Sequence, residues 1–356
     1  ALLSGFAIGL YGLARCLQRP VAGGIWLGIG TGIGFMSKGL IAPGMLGIIA
    51  VVLPLFQPWR NRNYLLTLLV ALGAVMPWLL IWPLALYLRS PDLFVEWFWI
   101  NNFGRFLGLV KIGPTAEPLY YLKILPWFAW PALPLALWAL WAERIRGWNQ
   151  PGIQLPVTAF VVMLSVLMFS ADAREVYALP LLLPLSLIAA LSVDTLRRGA
   201  ANALYWFSVM GFTFFAGVFW FYWGALELSI PTKLSQHLHE MQPGYSSEFR
   251  PLVFILALAY CIAWIILLLR LKHGQERGQE RPVTRPVIVW AAGVALVWGM
   301  LMTLFIGWLD TGKSYRSMVA SMQQSLPAHY RCIASQNLGE PQRAMLHYYG
   351  KIMTRR

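Results

Sequence analysis

Ten apolar stretches run through this chain of 356 residues; the last nine are long enough to cross a bilayer, and we expect the first to be clipped. A transmembrane helix needs roughly 20 mainly apolar residues, with a range of about 17–25. Hydrophobic residues make up 58% of the chain and charged residues only 12%. The sequence therefore predicts an all-α polytopic membrane protein. Its predicted spans are residues 1–14, 21–37, 40–56, 64–88, 123–142, 153–170, 177–193, 202–224, 251–269 and 287–309.

The distribution of charge predicts the orientation of these spans. Lysine and arginine total 28 against 14 acidic residues, and every second loop is short and rich in arginine. The positive-inside rule places those loops in the cytoplasm and the intervening ones outside, including the long segments 89–122 and 225–250. The basic excess is thus a signal of orientation, and we expect no nucleic-acid partner. The cytoplasmic arginines are Arg15, Arg19, Arg60, Arg62, Arg144, Arg146, Arg197, Arg198, Arg270, Arg277, Arg281 and Arg285.

The pattern predicts two regions of different character. Residues 1–309 form the transmembrane bundle, and residues 310–356 form an exterior tail. Within the tail, residues 330–334 suit a strand, and residues 340–349 suit a helix with proline in its first turn. We therefore expect the start of a small α/β domain. Ten spans place the start of the chain outside, so we expect an odd number of earlier helices if the N-terminus of the protein begins in the cytoplasm.

Arg105 follows a dense aromatic run at residues 97–103, in the first long exterior segment. The planar and permanently charged guanidinium suits a bidentate contact with phosphate. The alternative is an interfacial arginine that pairs with lipid headgroups or with Glu96.

Arg174 and Tyr177 lie three residues apart at the entry of a predicted helix, so both side chains can share one face. A guanidinium and a phenol can both donate hydrogen bonds to phosphate oxygens. The alternative is a surface ion network of Asp172, Arg174 and Glu175.

Lys38 lies in a tight break between two apolar stretches, with almost no loop to keep its ammonium in water. Ionisable groups at membrane depth are costly, and they are usually paired or functional; reaching the membrane surface is the alternative. The orientation rule places Lys38, Arg105, Arg174 and Tyr177 on the same outer face. Together they suit a lipid-linked phosphate leaving group, whose developing charge they would stabilise.

Four motifs then give the chain a family resemblance. It resembles the polyprenyl-phosphate-dependent glycosyltransferases of the GT-C superfamily, among them the bacterial lipid A aminoarabinose transferases and the protein O-mannosyltransferase-like group. The motifs are Gly-Phe-Met-Ser-Lys-Gly at 34–39, Met-Pro-Trp at 76–78 followed by Ser-Pro-Asp-Leu-Phe at 90–94, Asn-Asn-Phe-Gly-Arg-Phe at 101–106, and Arg-Glu-Val-Tyr-Ala-Leu-Pro at 174–180.

The resemblance implies a GT-C helical bundle with a site for a lipid phosphate. The family's arginine and tyrosine at this site match Arg105 and Tyr177, while Arg174 and Lys38 are further candidates. The expected residues of the substrate cavity are Asn101, Asn102, Glu117, Tyr120 and Tyr121. For the two adjacent tyrosines, anchoring in the interfacial aromatic belt is the alternative.

Two departures from the family pattern limit which of the family's functional residues can be assigned to this chain. A metal-binding histidine of the family is replaced by Asn102, and a second histidine is replaced around Thr115–Glu117. We therefore predict no cofactor and no metal held by that route. The family's general-base aspartate lies in its first exterior loop, which the resemblance places before this chain together with about three helices. The catalytic residue of this chain is therefore unknown.

The expected activity is transfer of a sugar from a polyprenyl-phosphate donor to a lipid, glycan or protein acceptor. It would take place at the outer, periplasmic face of the bacterial cytoplasmic membrane, among membrane lipids. The main alternative is a polytopic transporter or flippase of a lipid-linked or anionic substrate. A glycan polymerase or ligase of another fold and a non-catalytic relative are further alternatives.

Overall fold

The computed structural model describes residues 1–109, 117–142, 148–171, 173–191, 193–246, 248–276, 284–327, 333–336 and 338–355. Helices dominate these residues, and only two strands of two residues each are found among them. The predicted all-α membrane fold is therefore confirmed. The chain divides into two compact units, residues 1–196 and 197–356. Of the residues used in the sequence analysis, Thr115, Arg144, Arg146, Asp172, Arg277, Arg281 and residues 330–332 lie outside the described ranges.

The first unit is a bundle of α-helices interrupted by tighter and wider helical turns. Its α-helices are α1 (Leu2–Arg15), α2 (Pro20–Lys38), α3 (Ile41–Val52), α4 (Arg62–Arg89), α5 (Pro91–Val95), α6 (Tyr120–Phe128), α7 (Ala132–Ala142), α8 (Pro151–Met168) and α9 (Leu182–Ala190). A π-helix covers Glu96–Gly104, and 3₁₀-helices cover Leu53–Leu55, Gln57–Trp59, Glu175–Leu181 and Val193–Thr195.

Close backbone approach joins α1 to α2. A Cβ added at Gly12 would lie 2.6 Å from the Gly23 oxygen and 2.9 Å from the Leu27 Cα. These distances are shorter than real Cβ contacts, so only glycine fits at this crossing. Small residues at helix contacts are typical of membrane bundles, because close approach increases van der Waals packing between helices.

Apolar side chains from α1, α3, α8 and α9 form the core of this unit, with Phe6, Ile49, Met163 and Ile188 almost fully buried. One polar pair lies within it. The Trp59 indole N–H donates to Gln154 Oε1 over 2.8 Å, and both side chains are buried. This hydrogen bond satisfies two polar groups that would be costly to bury alone.

The second unit contains three long helices and a smaller tail. Its elements are α10 (Arg198–Glu227), α11 (Thr232–Met241), α12 (Pro251–Glu276), α13 (Arg285–Leu304), α14 (Ile306–Lys313), α15 (Arg316–Ser325), β1 (Ile333–Ala334), α16 (Glu340–Gly350) and β2 (Thr354–Arg355). Helix α13 packs against both α10 and α12. Ala225, Ala257, Val289 and Met300 are buried in the resulting core.

The tail has the predicted mixture of helix and strand. β1 and β2 pair in parallel, with Ile333 opposite Thr354, and α16 connects them. Val319, Leu346 and Ile352 form a separate small core. The helix predicted over residues 340–349 is confirmed. The domain boundary at residue 309 and the exterior location of the tail stay predictions, and α14 runs across that boundary.

The ten predicted apolar spans are all helical in the described chain, but they differ in length. Six helices are long and apolar enough to cross a membrane, namely α2, α4, α8, α10, α12 and α13. The single span predicted over residues 123–142 is instead two helices, α6 and α7, which meet at 95°. The predicted spans 1–14, 40–56 and 177–193 correspond to shorter apolar helices. The third of these begins as a 3₁₀-helix that contains Pro180, which lacks the N–H of a regular helix.

Candidate functional site

A cavity of about 730 Å³ lies within the first unit, where the break between α2 and α3 meets the π-helix and the 3₁₀-helix Glu175–Leu181. Much of its wall is apolar. The polar residues that line it are Ser37, Lys38, Asn101, Asn102, Arg105, Ser170 and Tyr177. Segments far apart in sequence thus contribute to one site.

The break between α2 and α3 is short because a glycine turns the chain. Lys38 is the last residue of α2, and Gly39 follows with φ +62° and ψ −139°. Residues with a side chain rarely adopt this conformation, whereas glycine does so readily. The turn lets α3 begin at Ile41, only three residues after Lys38. Lys38 is therefore held at the end of a helix beside the cavity.

The Lys38 ammonium lies over the ring of Tyr177, with Nζ 3.2 Å from the ring centroid. Both side chains are half-buried. A cation over an aromatic face is attracted by the negative charge of the ring's π-system, and partial burial strengthens that attraction. This contact joins two of the residues that are predicted from the sequence to lie on the outer face of the membrane.

Asn102 connects the break to the π-helix. Its Oδ1 accepts the Leu40 N–H over 2.9 Å, and its Nδ2 donates to the Trp97 oxygen over 2.7 Å. The two partners fix the orientation of the amide, since one is a donor and the other an acceptor. π-Helical turns are rare in proteins overall, and those that occur are often found at functional sites.

Arg105 follows this π-helix directly. Its backbone N–H donates to the backbone oxygens of Asn102 and Ile100. The end of the π-helix therefore fixes the position of the Arg105 backbone. The next residue, Phe106, accepts a backbone hydrogen bond from Ala171 over 3.0 Å. This bond ties the segment that carries Arg105 to the one that leads to Tyr177.

Aromatic side chains form part of the apolar wall. Trp82 and Trp97 are 4.7 Å apart between ring centroids, and Phe35 lies 6.4 Å and 5.8 Å from them. Lys38 and Arg105 supply positive charge, and no carboxylate lines this cavity among the residues that the structure describes. The cavity thus combines a cationic part with a hydrocarbon-like part. Such a site suits an amphiphile with an anionic head.

Arg174 is placed differently from the sequence prediction. It precedes the 3₁₀-helix in an extended conformation, φ −140° and ψ 142°, so it does not share a helical face with Tyr177. Its side chain is exposed, with the guanidinium carbon 6.0 Å from the Tyr177 ring centroid, and it does not line the cavity. Its backbone N–H donates to the buried Tyr121 hydroxyl over 3.4 Å.

Glu117, Tyr120 and Tyr121 line a second, smaller cavity of about 310 Å³ rather than the first. The two cavities adjoin, because Leu167 and Ser170 line both. Glu117 is exposed and forms a salt bridge of 3.2 Å with Lys123. Of the expected substrate-cavity residues, only Asn101 and Asn102 therefore line the cavity that contains the cations.

The site does not fit a metal ion held through Asn102. Both polar atoms of its amide already bond protein groups, and an amide oxygen is a weaker ligand than the histidine that the family pattern has there. Within the described ranges, no three His, Cys, Asp or Glu side chains form a group that could hold a metal. Thr115, where a second family histidine is replaced, lies outside them.

Sequence reasoning missed Ser170 and the aromatic wall. Trp82 lies in the C-terminal third of α4, a predicted span, and no polar neighbour in the sequence distinguishes it. Trp97 was within the aromatic run already noted, yet only the fold shows that it faces Phe35 of α2. The signal available was the density of aromatic residues beside Arg105.

No family model matches the sequence. It is similar to proteins named undecaprenyl phosphate-alpha-4-amino-4-deoxy-L-arabinose arabinosyl transferase. Those of Proteus mirabilis, Pseudomonas fluorescens and Aeromonas salmonicida are 29%, 32% and 32% identical over 198, 197 and 201 residues. The matches cover 54%, 53% and 52% of this chain and 34% of each relative. The chain thus matches about a third of the length of these relatives.

A solved structure shares the fold of this chain. It is ArnT from Cupriavidus metallidurans bound to undecaprenyl phosphate, with a TM-score of 0.54 and 14% identity. The match covers 99% of this chain and 65% of that one. This structure supports the predicted fold, and the named relatives confirm the predicted resemblance to polyprenyl-phosphate-dependent glycosyltransferases.

Proposed function

We propose that this chain carries the donor-phosphate site of a glycosyltransferase that uses a polyprenyl-phosphate sugar. The observation that supports this most directly is the cavity that Lys38, Arg105 and Tyr177 line together with aromatic side chains. A transferase of the same fold is solved with undecaprenyl phosphate bound. The named relatives act, by their names, with an undecaprenyl-phosphate sugar.

The chemistry of the cavity suits the two parts of such a donor. Lys38 and Arg105 would hold the phosphate, since hydrogen bonds between charged groups are about twice as strong as neutral ones. Phe35, Trp82 and Trp97 would contact the isoprenoid chain, whose burial is favourable in proportion to its apolar area. A soluble anion would use only the first set of residues.

During transfer, the bond between the sugar and the phosphate oxygen breaks, and negative charge grows on the departing polyprenyl phosphate. Fixed positive charges and donors at that oxygen lower the barrier, because they need no rearrangement as the charge develops. Lys38 and Arg105 have this role in our proposal, with the Tyr177 phenol as a further donor. Arg174, exposed at the edge of the site, would add positive charge from a greater distance. The general base that activates the acceptor hydroxyl is not assigned to any residue of this chain.

The proposed reaction takes place at the periplasmic face of the bacterial inner membrane, as the arginine-rich loops predict. The acceptor is a lipid, a glycan or a protein. The adjoining cavity of Glu117, Tyr120 and Tyr121 supplies carboxylate and hydroxyl groups next to the phosphate site. These are the groups that hydrogen-bond sugar hydroxyls, so we assign this cavity to the substrate.

The test is a transfer assay with the product of the complete gene in liposomes. A radiolabelled polyprenyl-phosphate sugar is supplied with total envelope lipid and glycan as acceptors. We expect transfer by the wild type and a loss in kcat of about 10²–10³-fold for Arg105→Gln, by analogy with removal of an oxyanion donor. Arg62→Gln, at an exposed arginine that is the first residue of α4, is the matched control and should retain activity.

Two results would contradict the proposal. Wild-type turnover by Arg105→Gln, at equal expression, would remove Arg105 from the phosphate site. Uptake of the labelled donor into liposomes without any transfer would instead favour a transporter or flippase.

A further inference from the structure

Asn102 is hydrogen-bonded to both of the segments that carry the cations of the cavity, Lys38 and Arg105. Its side-chain oxygen accepts the Leu40 N–H, two residues after Lys38, over 2.9 Å. Its backbone oxygen accepts the Arg105 N–H at the end of the π-helix. One residue is therefore hydrogen-bonded to the backbone beside Lys38 and to the backbone of Arg105.

The turn at Gly39 leaves little freedom at this connection. A Cβ at Gly39 would collide with Asn102 Oδ1, so the amide packs directly against the glycine. The second amide bond, from Nδ2 to the Trp97 oxygen, anchors the side chain within the π-helix. Asn102 therefore cannot move independently of the break between α2 and α3.

We propose that Asn102 is a positioning residue that sets the Lys38 ammonium relative to Arg105, so that both contact the same phosphate. This inference rests on the proposed function. In this proposal Asn102 acts through hydrogen bonds, at the position where the family pattern has a metal-binding histidine. The side chain acts through the Leu40 N–H, and thus through Lys38, rather than as a phosphate ligand.

The test measures lipid binding by native mass spectrometry, with undecaprenyl phosphate and undecaprenol as paired probes. The two lipids differ only in the phosphate, so their affinity ratio isolates the contribution of the charged site. Asn102→Leu, Lys38→Gln and the double variant form a cycle that detects coupling between the two positions.

The matched control is Asn61→Leu. Asn61 also uses both ends of its amide, since Oδ1 accepts the Tyr64 N–H over 2.8 Å and Nδ2 donates to the Pro58 oxygen over 2.9 Å. Asn61 caps the N-terminus of α4 and does not line the cavity. Asn61→Leu should lower the melting temperature without changing the affinity ratio of the two lipids.

We expect Asn102→Leu to weaken undecaprenyl phosphate binding about tenfold, the scale of one or two lost hydrogen bonds. Undecaprenol binding should not change. In the Lys38→Gln background, Asn102→Leu should lower the affinity for undecaprenyl phosphate by less than about twofold. The side chain that Asn102 positions no longer carries a charge in that background.

Equal losses in both backgrounds, or equal losses for both lipids, would show that Asn102 has only a general structural role. A wild type that fails to prefer undecaprenyl phosphate would contradict the proposed function itself. A preference that depends on Lys38 but not on Asn102 would overturn this inference alone.

A second measurement needs no variant at Asn102. In the wild type, undecaprenyl phosphate should slow hydrogen exchange of the Leu40 amide more than undecaprenol does, since a held phosphate would stabilise the break. Equal protection by the two lipids would contradict the inference, even if the Asn102 variants do not fold.

Discussion

Substitutions at Tyr177 separate the two contributions of this side chain. Tyr177→Phe retains the ring beneath the Lys38 ammonium, 3.2 Å from its centroid, but removes the phenol. A hydrogen bond to a charged group contributes about 1.5–3 kcal/mol. We therefore expect Tyr177→Phe to lower the affinity for undecaprenyl phosphate roughly 10- to 100-fold, at about 1.4 kcal/mol per factor of ten.

Tyr177→Leu removes the ring as well. A cation over an aromatic ring contributes about 0.5–1 kcal/mol when exposed and about 2 when desolvated, and this pair is half-buried. A value near 1 kcal/mol predicts a further loss of about fivefold relative to Tyr177→Phe. The phenylalanine variant should thus lie between the wild type and the leucine variant.

The assay is equilibrium binding of undecaprenyl phosphate in detergent, with undecaprenol as reference lipid. Tyr11→Leu is the matched control, because Arg15 lies 5.4 Å from the Tyr11 ring centroid on α1, away from the cavity lining. It should bind like the wild type. Wild-type affinity of Tyr177→Phe would refute the phenol as a phosphate donor, and equal affinity of the two Tyr177 variants would refute the ring as a support for Lys38.

Three further predictions concern packing and chemistry. Gly12→Leu should prevent close packing of α1 on α2 beside Leu27 and lower the yield of folded protein, measured by size-exclusion chromatography, whereas folding at wild-type yield would contradict the packing described. Trp59→Phe should destabilise the protein by about 1–3 kcal/mol, because it leaves the buried Gln154 oxygen without its donor; an unchanged melting temperature would argue against that bond. Chelation with EDTA should leave undecaprenyl phosphate binding unchanged, because the Asn102 amide is occupied by protein partners, and a loss restored by added zinc would contradict this.

Much of the fold could be predicted from the sequence because apolar length is a strong signal. α2, α4 and α8 match predicted spans closely, since long runs without charge have few other stable arrangements in a membrane. The bend between α6 and α7 could not be predicted in this way. Both halves are apolar, so hydropathy does not distinguish one straight span from two helices that meet at 95°.

The cations of the candidate site could be predicted from the sequence, but the hydrogen bonds of Asn102 beside them could not. Lys38 and Arg105 stand out because a charge within or beside apolar sequence is costly. Asn102 was predicted as a residue of the substrate cavity and as a replaced histidine, but its bond to the Leu40 N–H depends on a contact between segments 62 residues apart. A single sequence gives no sign of such a pairing.

Arg174 shows how local conformation changes a prediction from spacing. Three residues separate it from Tyr177, which would place both on one face of an α-helix. The helix begins only at Glu175, however, and it is a 3₁₀-helix. The spacing rule therefore fails because one of the two residues lies outside the helix.

The most direct test of the proposed site is a cryo-electron microscopy structure of the protein in a nanodisc with undecaprenyl phosphate. We expect phosphate density within the cavity, with oxygens at about 2.7–2.9 Å from Lys38 Nζ and from the Arg105 guanidinium. The isoprenoid chain should run along Trp82 and Trp97. A phosphate bound at another place, with Lys38 and Arg105 directed away from it, would contradict the central claim.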